Sequence, residues 1–340
     1  MEFNLISNDI AIDFGTSNTR IYIKGRGLVL DEPSVIAYDT ISGDIIAAGA
    51  EAYAMTGRTP NTVAAVFPLA GGVICECTLA EELLKALLRR VCPKTIIKPR
   101  IIIAIPCGVT DVERRALRDA AIVAGARRVY IMESPIAAAI GASCDVAPAR
   151  GMMVADLGGG SCDIAVISLG QVVSSVQHKL AGAAFTDAVI AYFRERHSLA
   201  VGFQSAEKCK IDLGCVFSRD TLARGEVTGL DITTGLPSKI TVTSEDIKDA
   251  LTPVCEALAE AIKKALDEAP SELLGDILED GILLTGGLSQ MPGLVKRLRI
   301  DTEMKVFAAP EGAMCVVRGL AAAIENLDRI SKDSYTLYQG

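Results

Sequence analysis

The sequence predicts an α/β fold built from two related halves, and three observations support this prediction. Segments rich in Ile, Val and Leu alternate with segments of helical periodicity along most of the chain, as is typical of α/β proteins. One arrangement of strand, aspartate, glycine-rich turn and strand occurs twice, with its aspartates at Asp13 and Asp156. The spacing of these aspartates roughly halves the chain. A repeat at that spacing indicates a duplicated domain with a site between the copies.

The composition of the chain excludes several classes of protein. Its 340 residues are too many to fold around one simple hydrophobic core and suggest two domains of ordinary size. The net charge of −8 argues against a nucleic-acid partner, because neutralising phosphates requires clustered Lys and Arg. No apolar run approaches the roughly 20 residues of a membrane span, and the opening MEFNLISNDI lacks the features of a secretory signal. We therefore expect a soluble, cytoplasmic protein.

The ten cysteines are scattered and contain no C-x-x-C pair, and only His178 and His197 are available as further ligands. A structural zinc site is therefore not expected. Because most of these cysteines stand in apolar segments, we expect buried free thiols in a reducing compartment.

Each repeat predicts a hairpin that is suited to holding phosphate. The first reads NDIAIDFGTSNTRIYIKGRG, with a turn over 15–18 and a second strand over 19–23. The second reads MMVADLGGGSCDIAVISLG, with a turn over 158–160 and an alternating strand over 163–168. A glycine-rich turn exposes backbone N–H groups to phosphate, and carboxylates suit Mg²⁺. One such turn alone is an ordinary hairpin, whereas two opposed turns after aspartates indicate a nucleotide held from both sides.

The segment between the repeats predicts strand, helix, strand and helix. The β-branched run IIKPRIIIAIPCG is typical of a buried central strand. TDVERRALRDAAIVAGA predicts a helix that begins at a capping box of Thr110 and Glu113. RRVYIM predicts the next strand. In the following ESPIAAAIGA, Ser134 is the predicted N-cap, Pro135 the first helical residue, and Glu133 lies at the positive end of the helix.

The second half of the chain continues the alternation. AEKCKIDLG and SEDIKDALTPVCEALAEAIKKALDEA predict helices, the latter with Ser244 as N-cap. DGILLTGGLSQMPGLVKRL predicts a strand, a glycine turn and a helix, and EGAMCVVRGLAAAIENLDRI a final amphipathic helix. The glycine turn over 285–287 is a candidate wall for a nucleoside. Glu207 and Lys210 share a helix face, and their spacing by itself favours a solvated ion pair.

Six segments resemble, in order along the chain, the motifs of the MreB family, the bacterial actin-like proteins of rod-shape determination. These segments are AIDFGTSNTRIYI, GRTPNTVAAVFPL, KPRIIIAIPCGVTDVERRALRDAAIVAGARRVYIMESPIAAAIGA, DLGGGSCDIAVISLG, AEKCKIDLG and LLTGGLSQMPGL. The resemblance covers nearly the whole chain. The phosphate turns are shared with a wider superfamily of actins, heat-shock chaperones and sugar kinases, whereas the stretch from TDVERRA to AAAIGA is more specific.

The resemblance implies an actin-like fold, in which a ribonuclease H-like domain is duplicated and nucleotide binds in the cleft between the copies. Domain I would span 1–145, with its large part at 1–30 and 66–145. Its small subdomain, a short insertion, would lie at 31–65, and a C-terminal helix over 312–330 would return to it. Domain II would span 146–311, with its large part at 146–178 and 241–311 and its small subdomain at 179–240.

The resemblance also implies the residues of the site. The phosphates of ATP or ADP would be bound by Gly15, Thr16, Ser17, Asn18, Gly158, Gly159 and Gly160. The Mg²⁺ shell would be held by Asp13 and Asp156. The nucleoside would be contacted by Glu207, Lys210, Gly286, Gly287, Leu288 and Ser289.

Hydrolysis depends on a position where this chain departs from the family pattern. The family has Glu-Glu-Pro where this chain has Glu133, Ser134 and Pro135, and the second glutamate is the one that orients the attacking water. A hydroxyl positions water, but it accepts a proton far less readily than a carboxylate at neutral pH. Ser161 stands where the family has Thr. The catalytic candidates are therefore Glu133, Ser134 and Ser161, and the prediction is ATP binding with slow hydrolysis.

The resemblance implies three kinds of partner: further copies of the chain in a filament, the cytoplasmic membrane, and the proteins of cell-wall elongation. Ile96 and Ile97 are candidates for a membrane-inserting loop, because the basic residues Lys94, Lys98 and Arg100 around them favour anionic lipid. The alternative is that both isoleucines begin the buried strand.

Three other functions stay open. A sugar kinase or other phosphotransferase needs a catalytic base, and no acidic residue beyond the metal candidates is placed for that role. A heat-shock-type chaperone needs a substrate-binding domain after the nucleotide domain, and only a short tail is expected after the last helix. A divergent regulatory paralogue that co-assembles with a regular MreB is favoured by Ser134 and by Ala183 and Ala184, which replace a Gly-Gly-Asp pattern.

Overall fold

The computed structural model describes residues 9–93 and 97–327, and the backbone of 338–339. The elements of the first part of the chain are β1 (Ile10–Phe14), β2 (Asn18–Ile23), β3 (Gly27–Pro33), β4 (Ile36–Asp39), β5 (Ile45–Ala48), α1 (Ala50–Met55), β6 (Val63–Val66), β7 (Leu69–Ala70), β8 (Val73–Ile74), α2 (Cys77–Val91), β9 (Arg100–Ile105), α3 (Asp111–Val123), β10 (Arg128–Glu133) and α4 (Ser134–Gly141).

The second part alternates in the same way, and short 3-10 helices over Gly287–Gln290 and Gly312–Met314 precede its last two α-helices. Its elements are β11 (Met152–Leu157), β12 (Cys162–Ser168), β13 (Gln171–His178), α5 (Gly182–His197), β14 (Leu199–Ala200), α6 (Phe203–Leu213), β15 (Arg224–Asp231), β16 (Pro237–Thr243), α7 (Ser244–Asp267), α8 (Ser271–Asp280), β17 (Ile282–Thr285), α9 (Leu294–Thr302), β18 (Val306–Ala308), α10 (Cys315–Glu325) and β19 (Tyr338–Gln339).

Two large sheets share one topology. The first has the strand order β19-β10-β9-β1-β2-β3, and the second has the order β13-β12-β11-β17-β18. In each sheet, three antiparallel strands form a meander, β1–β2–β3 or β11–β12–β13. The first strand of each meander then pairs in parallel with a further strand, β9 or β17. The predicted duplication of an α/β domain is therefore confirmed.

The central strand β9 shows why the first half folds around its sheet. Ile101 and Ile103 pack with the buried leucines of α2 and with Leu117 of α3 on one side. Ile102 packs with the alanines of α4 and with Leu320 of α10 on the other. A strand that is covered on both faces is continuously apolar, which explains the run of isoleucines in the sequence.

Two smaller sheets accompany the large ones. The sheet β5-β4-β6 contacts α1 and lies in the chain between β3 and β7, where the sequence predicts a small insertion. The sheet β14-β15-β16 contacts α5 and α6. The limits of the domains and subdomains given above stay predictions.

Two of the three predicted helix starts are displaced by one residue. The capping box of Thr110 and Glu113 at the start of α3 is confirmed. For α7, the N-cap is Thr243 rather than Ser244, because the extended Thr243 ends β16 and exchanges hydrogen bonds with Asp246. For α4, the N-cap is Glu133 rather than Ser134, because β10 runs directly into the helix and leaves Glu133 as the last extended residue. Neither Ser134 nor Ser244 caps its helix.

The last helix lies against the first half of the chain. The predicted segment 312–330 contains the 3-10 helix Gly312–Met314 and α10, which ends at Glu325, whereas residues 328–330 lie outside the described part. Helix α10 packs against α4, β1 and β9. Gly141 of α4 and Gly319 of α10 face the backbone of the partner helix so closely that a Cβ atom at either position would collide with it. Glycine is therefore required at this crossing.

The thiols differ in part from the expectation. All ten cysteines are free, and six of them are buried, namely Cys107, Cys162, Cys209, Cys215, Cys255 and Cys315. Cys75 and Cys77 are exposed, so the expectation of burial is wrong for this pair. Within the described residues, the helices include none with the length and apolarity that a membrane crossing requires. The opening octapeptide, 1–8, lies outside the described residues.

Candidate functional site

A cavity of about 410 Å³ lies between the hairpins of the two large sheets, within the usual size of a small-molecule site. Most of the residues that the sequence predicts for the site line it: Asp13, Gly15, Thr16, Ser17, Asn18, Ser134, Asp156, Gly158, Gly159, Gly160, Ser161, Glu207, Lys210, Gly286, Gly287 and Leu288. Glu133 and Ser289 are not among the lining residues. The structure thus brings nearly all of the predicted set together.

The two glycine turns have the same local geometry and lie against each other. The N–H of Gly15 donates to the carbonyl of Asn18 at 3.1 Å, and the N–H of Gly158 donates to the carbonyl of Ser161 at 2.9 Å. A Cβ atom on Gly159 would collide with Ser17, and one on Gly160 would collide with Thr16. Only glycine permits this approach, which leaves two opposed backbone loops at one wall of the cavity.

Asp13 is engaged by a neighbouring cation that the sequence analysis did not assign to the site. Arg20 Nη1 lies 3.4 Å from Asp13 Oδ2, and Arg20 Nε lies 3.3 Å from Asp31 Oδ1. Burial raises the pKa of the Asp13 carboxyl above its ordinary value, and the charge of Arg20 offsets part of that rise. Arg20 lines the cavity. The signal that could have found it is the strand register, which places Arg20 directly opposite Asp13.

The second hairpin carries two buried carboxylates. Thr285 Oγ1 donates to Asp156 Oδ1 at 2.8 Å, and Ser161 Oγ donates to Asp163 Oδ2 at 3.1 Å. Asp163, which the sequence analysis missed, is only 1% exposed, and its Oδ1 has no hydrogen-bond partner among the described atoms. Burial raises the pKa of Asp163 to about 7, and burial together with the charge of Asp163 raises the pKa of Asp156 to about 7. A cation near these two carboxyls would lower both pKa values and stabilise the ionised forms.

The carboxylates of the cavity fit a metal ion that takes only one or two protein ligands and completes its coordination shell with phosphates and waters. Within residues 9–93 and 97–327, no group of three or more His, Cys, Asp or Glu side chains converges as a metal-binding cluster. Mg²⁺ needs no such cluster, because one or two carboxylates, waters and substrate phosphates complete its shell. Asp156 and the unpartnered Oδ1 of Asp163 fit that role. Asp13, the other predicted ligand, fits it less well because Arg20 already engages it.

Glu207 and Lys210 on α6 do not form a solvated ion pair. Lys210 is only 7% exposed, and its Nζ lies 2.6 Å from Glu207 Oε2. The same Nζ donates to the carbonyl of Gly182 and to Thr186 Oγ1, each at 2.9 Å. Thr186 in turn donates to Glu207. The interpretation that spacing alone favoured is therefore wrong: Lys210 is buried, Glu207 is partly buried, and both are held in the cavity wall.

The start of α4 separates the two catalytic candidates that are adjacent in the sequence. Ser134 is buried and lines the cavity. Glu133 is partly buried outside the lining, where burial raises the pKa of its carboxyl and the charge of Arg114 offsets part of the rise. Consecutive residues at a helix start point in different directions. Glu133 is therefore not placed to replace a carboxylate at position 134.

A hairpin from the first half reaches the turns of both halves. The N–H of Gly72 donates to Thr16 Oγ1 at 2.9 Å, and Gln177 Nε2 donates to the carbonyl of Gly71 at 3.3 Å. Gly71 and Gly72 both have positive φ, and a Cβ atom on Gly72 would press against Ser161. No site role was predicted for this Gly-Gly pair, because backbone atoms make most of these contacts and leave no side-chain pattern in the sequence.

Two sheets of one topology, with opposed phosphate-type turns at a cleft between them, define the class of actin-like two-domain proteins. A profile of the MreB/Mbl protein family matches residues 7–332. The chain is 39% identical over 329 residues to the cell shape-determining protein Mbl of Bacillus cereus, covering 96% of this chain and 99% of that protein. It is 38% identical over 338 residues to the cell shape-determining protein MreB of Escherichia coli, covering 98% and 97% respectively. The chain belongs to the MreB/Mbl family.

The fold of this chain is also similar to those of solved actin-like proteins. MreB5 of Spiroplasma citri bound to ADP superposes with a TM-score of 0.91 at 32% identity, covering 96% of this chain and 100% of that one. The same protein bound to AMPPNP gives 0.90 at 32% identity, covering 95% and 97%. The double helical filament of MamK gives 0.77 at 21% identity, covering 94% and 99%. The predicted two-domain actin-like fold is confirmed.

Proposed function

We propose that this protein is an ATP-binding, filament-forming actin homologue that helps to determine cell shape by guiding cell-wall synthesis at the inner face of the cytoplasmic membrane, and that it hydrolyses ATP slowly. The observation that carries this proposal is the pair of glycine turns, which lie against each other at a cavity between two duplicated sheets. Relatives of this fold bind ADP and AMPPNP, and relatives of this sequence are named for cell-shape determination.

The proposed nucleotide position follows from the chemistry of the lining. Backbone N–H groups of the two glycine turns suit phosphate oxygens. The carboxylates of Asp156 and Asp163 suit Mg²⁺ that is brought by those phosphates. Glu207, which Lys210 holds in place, offers a carboxylate acceptor for the nucleoside, and the glycine turn at 286–287 offers backbone groups. Magnesium would supply neutralising charge to the phosphates when it is bound.

Two alternatives to an independent shape-determining filament are a regulatory paralogue and a sugar kinase or chaperone. The regulatory paralogue is still supported, because the cavity is lined by Ser134 and has no carboxylate at that position. A sugar kinase or chaperone is less favoured, because the relatives that match nearly the full chain are cell-shape proteins. The experiment below separates the paralogue from the filament.

Electron microscopy of the purified chain with ATP, with ADP and without nucleotide is expected to show filaments with ATP. The Gly160→Val variant is expected to bind ATP at least about a hundredfold more weakly, because the added side chain separates the two turns. The matched control is Gly202→Ala, whose added methyl group meets no atom within 4 Å. If the wild type forms no filaments with ATP, with ADP or without nucleotide, the proposal of a filament is replaced by that of a regulatory paralogue.

The membrane part of the proposal rests on Ile97, which is 39% exposed and precedes the strand β9. The alternative that Ile97 begins the buried strand is therefore wrong. Ile96 and Lys94 lie outside the described residues. Lys98 follows Ile97 in the chain and is compatible with anionic lipid. Arg100 does not fit that role, because its guanidinium forms an ion pair with the buried Asp9.

The double substitution of Ile96 and Ile97 by serine is expected to weaken binding to anionic vesicles by about tenfold or more, because two apolar side chains are removed from the bilayer. Co-sedimentation with vesicles that contain phosphatidylglycerol measures the change. The control replaces Ile41 and Ile46, two exposed isoleucines elsewhere on the chain, by serine. Equal binding of the wild type and the Ile96/Ile97 variant would remove this loop as the membrane contact.

A further inference from the structure

The cavity carries more negative than positive charge. Its charged lining residues among those described are four carboxylates and two cations: Asp13, Asp156, Asp163, Glu207, Arg20 and Lys210. All three donor hydrogens of the Lys210 ammonium have partners, in Glu207, Gly182 and Thr186. Among the described lining residues, Arg20 is therefore the cation with donors left to offer.

Arg20 is held in place by strand pairing. It lies directly opposite Asp13 across β1 and β2, and directly opposite Asp31 across β2 and β3. Side chains at opposed positions of neighbouring strands share one face of the sheet and interact. The guanidinium thus stands between two carboxylates, and its side chain is 15% exposed.

This pairing uses little of the hydrogen-bonding capacity of Arg20. A guanidinium has five N–H donors in a planar fork. Nη1 donates to Asp13, whereas the buried Nε is near Asp31 without forming a hydrogen bond. The fork matches the geometry of phosphate oxygens, and its charge is permanent at all physiological pH values.

The fold itself does not require a cation at this position. Arg20 is the seventh residue after Asp13, and Asp163 is the seventh residue after Asp156. The register places each of them directly opposite its aspartate. The two copies of the hairpin therefore carry opposite charges at equivalent positions on one cavity. The positive charge at position 20 is a property of the site and not of the hairpin.

We propose that Arg20 is a resident cation of the cleft, which contacts nucleotide phosphates and makes nucleotide binding less dependent on Mg²⁺. This inference rests on the proposed nucleotide binding. Phosphates that approach Asp13, Asp156 and Asp163 need a neutralising cation, which Mg²⁺ ordinarily supplies. Arg20 supplies part of that charge from the protein and at the same time neutralises Asp13.

Calorimetric titration with ADP, in excess Mg²⁺ and in excess EDTA, tests this role. We expect the Kd of the wild type to rise on removal of Mg²⁺, and that of Arg20→Gln to rise about tenfold further, because a charged hydrogen bond to phosphate is lost. Arg20→Lys keeps the charge but lacks the planar fork, and its ratio of Kd values is expected to lie between those of the wild type and Arg20→Gln. The matched control is Arg90→Gln, which removes an ion pair to Glu32 outside the cavity lining.

The outcomes distinguish this inference from the proposed function. Equal ratios of the two Kd values in the wild type and Arg20→Gln would overturn the role of Arg20, even if the variant binds more weakly in both buffers. Absence of ADP binding by the wild type with Mg²⁺ would overturn nucleotide binding, and the role of Arg20 with it. If Arg20→Gln does not fold, Asp31→Asn serves instead, since it frees Arg20 from one carboxylate. Its Kd in EDTA is expected to fall, and an unchanged value would contradict the inference.

Discussion

Ser134→Glu is expected to release phosphate from ATP about a hundredfold faster than the wild type under conditions that favour filaments, since a positioned general base contributes that order of rate. Ser134 lines the cavity at the start of α4, whereas Glu133 lies outside the lining. The substitution therefore places a carboxylate where the wild type has a hydroxyl. Phosphate release by a coupled optical assay measures the rate at saturating ATP.

The control for this prediction is Ser134→Gln, which matches glutamate in size and lacks the carboxylate. It is expected to hydrolyse ATP as slowly as the wild type, because an amide does not accept the proton from water at neutral pH. A wild-type rate that already equals that of Ser134→Glu would show that hydrolysis does not need a carboxylate here. Nucleotide affinity is expected to change far less than rate, because Ser134 adjoins the proposed reaction centre and makes none of the turn contacts.

Gly319→Val is expected to lower the free energy of unfolding by about 3 kcal/mol or more, at the upper end of the cost of overpacking. A Cβ atom at Gly319 would collide with the carbonyl group of Ala137, because α10 and α4 touch backbone to backbone. No rotation of a side chain relieves that collision. Urea unfolding of the nucleotide-free protein, followed by circular dichroism, measures the change.

The matched control is Gly275→Ala in the exposed middle of α8, where an added Cβ atom meets nothing within 4 Å. Alanine there is expected to stabilise the protein by about 0.5–1 kcal/mol, because it restricts the unfolded chain more than glycine does. A shared urea midpoint for the wild type and Gly319→Val would contradict the close crossing of α4 and α10.

Local patterns in the sequence were sufficient for the hairpins and for most of the site. The predicted strands around Asp13 and Asp156 form β1–β2 and β11–β12, because alternation of apolar residues and glycine turns are local signals. The capping box at Thr110 is local for the same reason. The starts of α4 and α7 differ by one residue, because the preceding strands run into these helices without a break.

The pairing of distant side chains depended on the tertiary structure. Whether Lys210 is solvated or buried depends on Gly182 and Thr186 of another helix. The contact of Gly72 with Thr16 joins backbone to a side chain across the fold and leaves no pattern in the sequence. Such contacts are fixed by packing between elements that are far apart in the chain.

By itself, the sequence determined that this protein has two α/β halves, each with an aspartate and a phosphate-type turn, and that position 134 lacks a carboxylate. Only the tertiary structure decided that Arg20 neutralises Asp13 and that Glu133 stands outside the cavity. It also decided that Asp163 is buried, with one oxygen that meets no hydrogen-bond partner in the part of the chain that the structure describes. The physical reason is that hydrophobic periodicity and turn chemistry act between neighbours in the chain. The charge that a cleft presents depends on strand register and burial, which long-range packing sets.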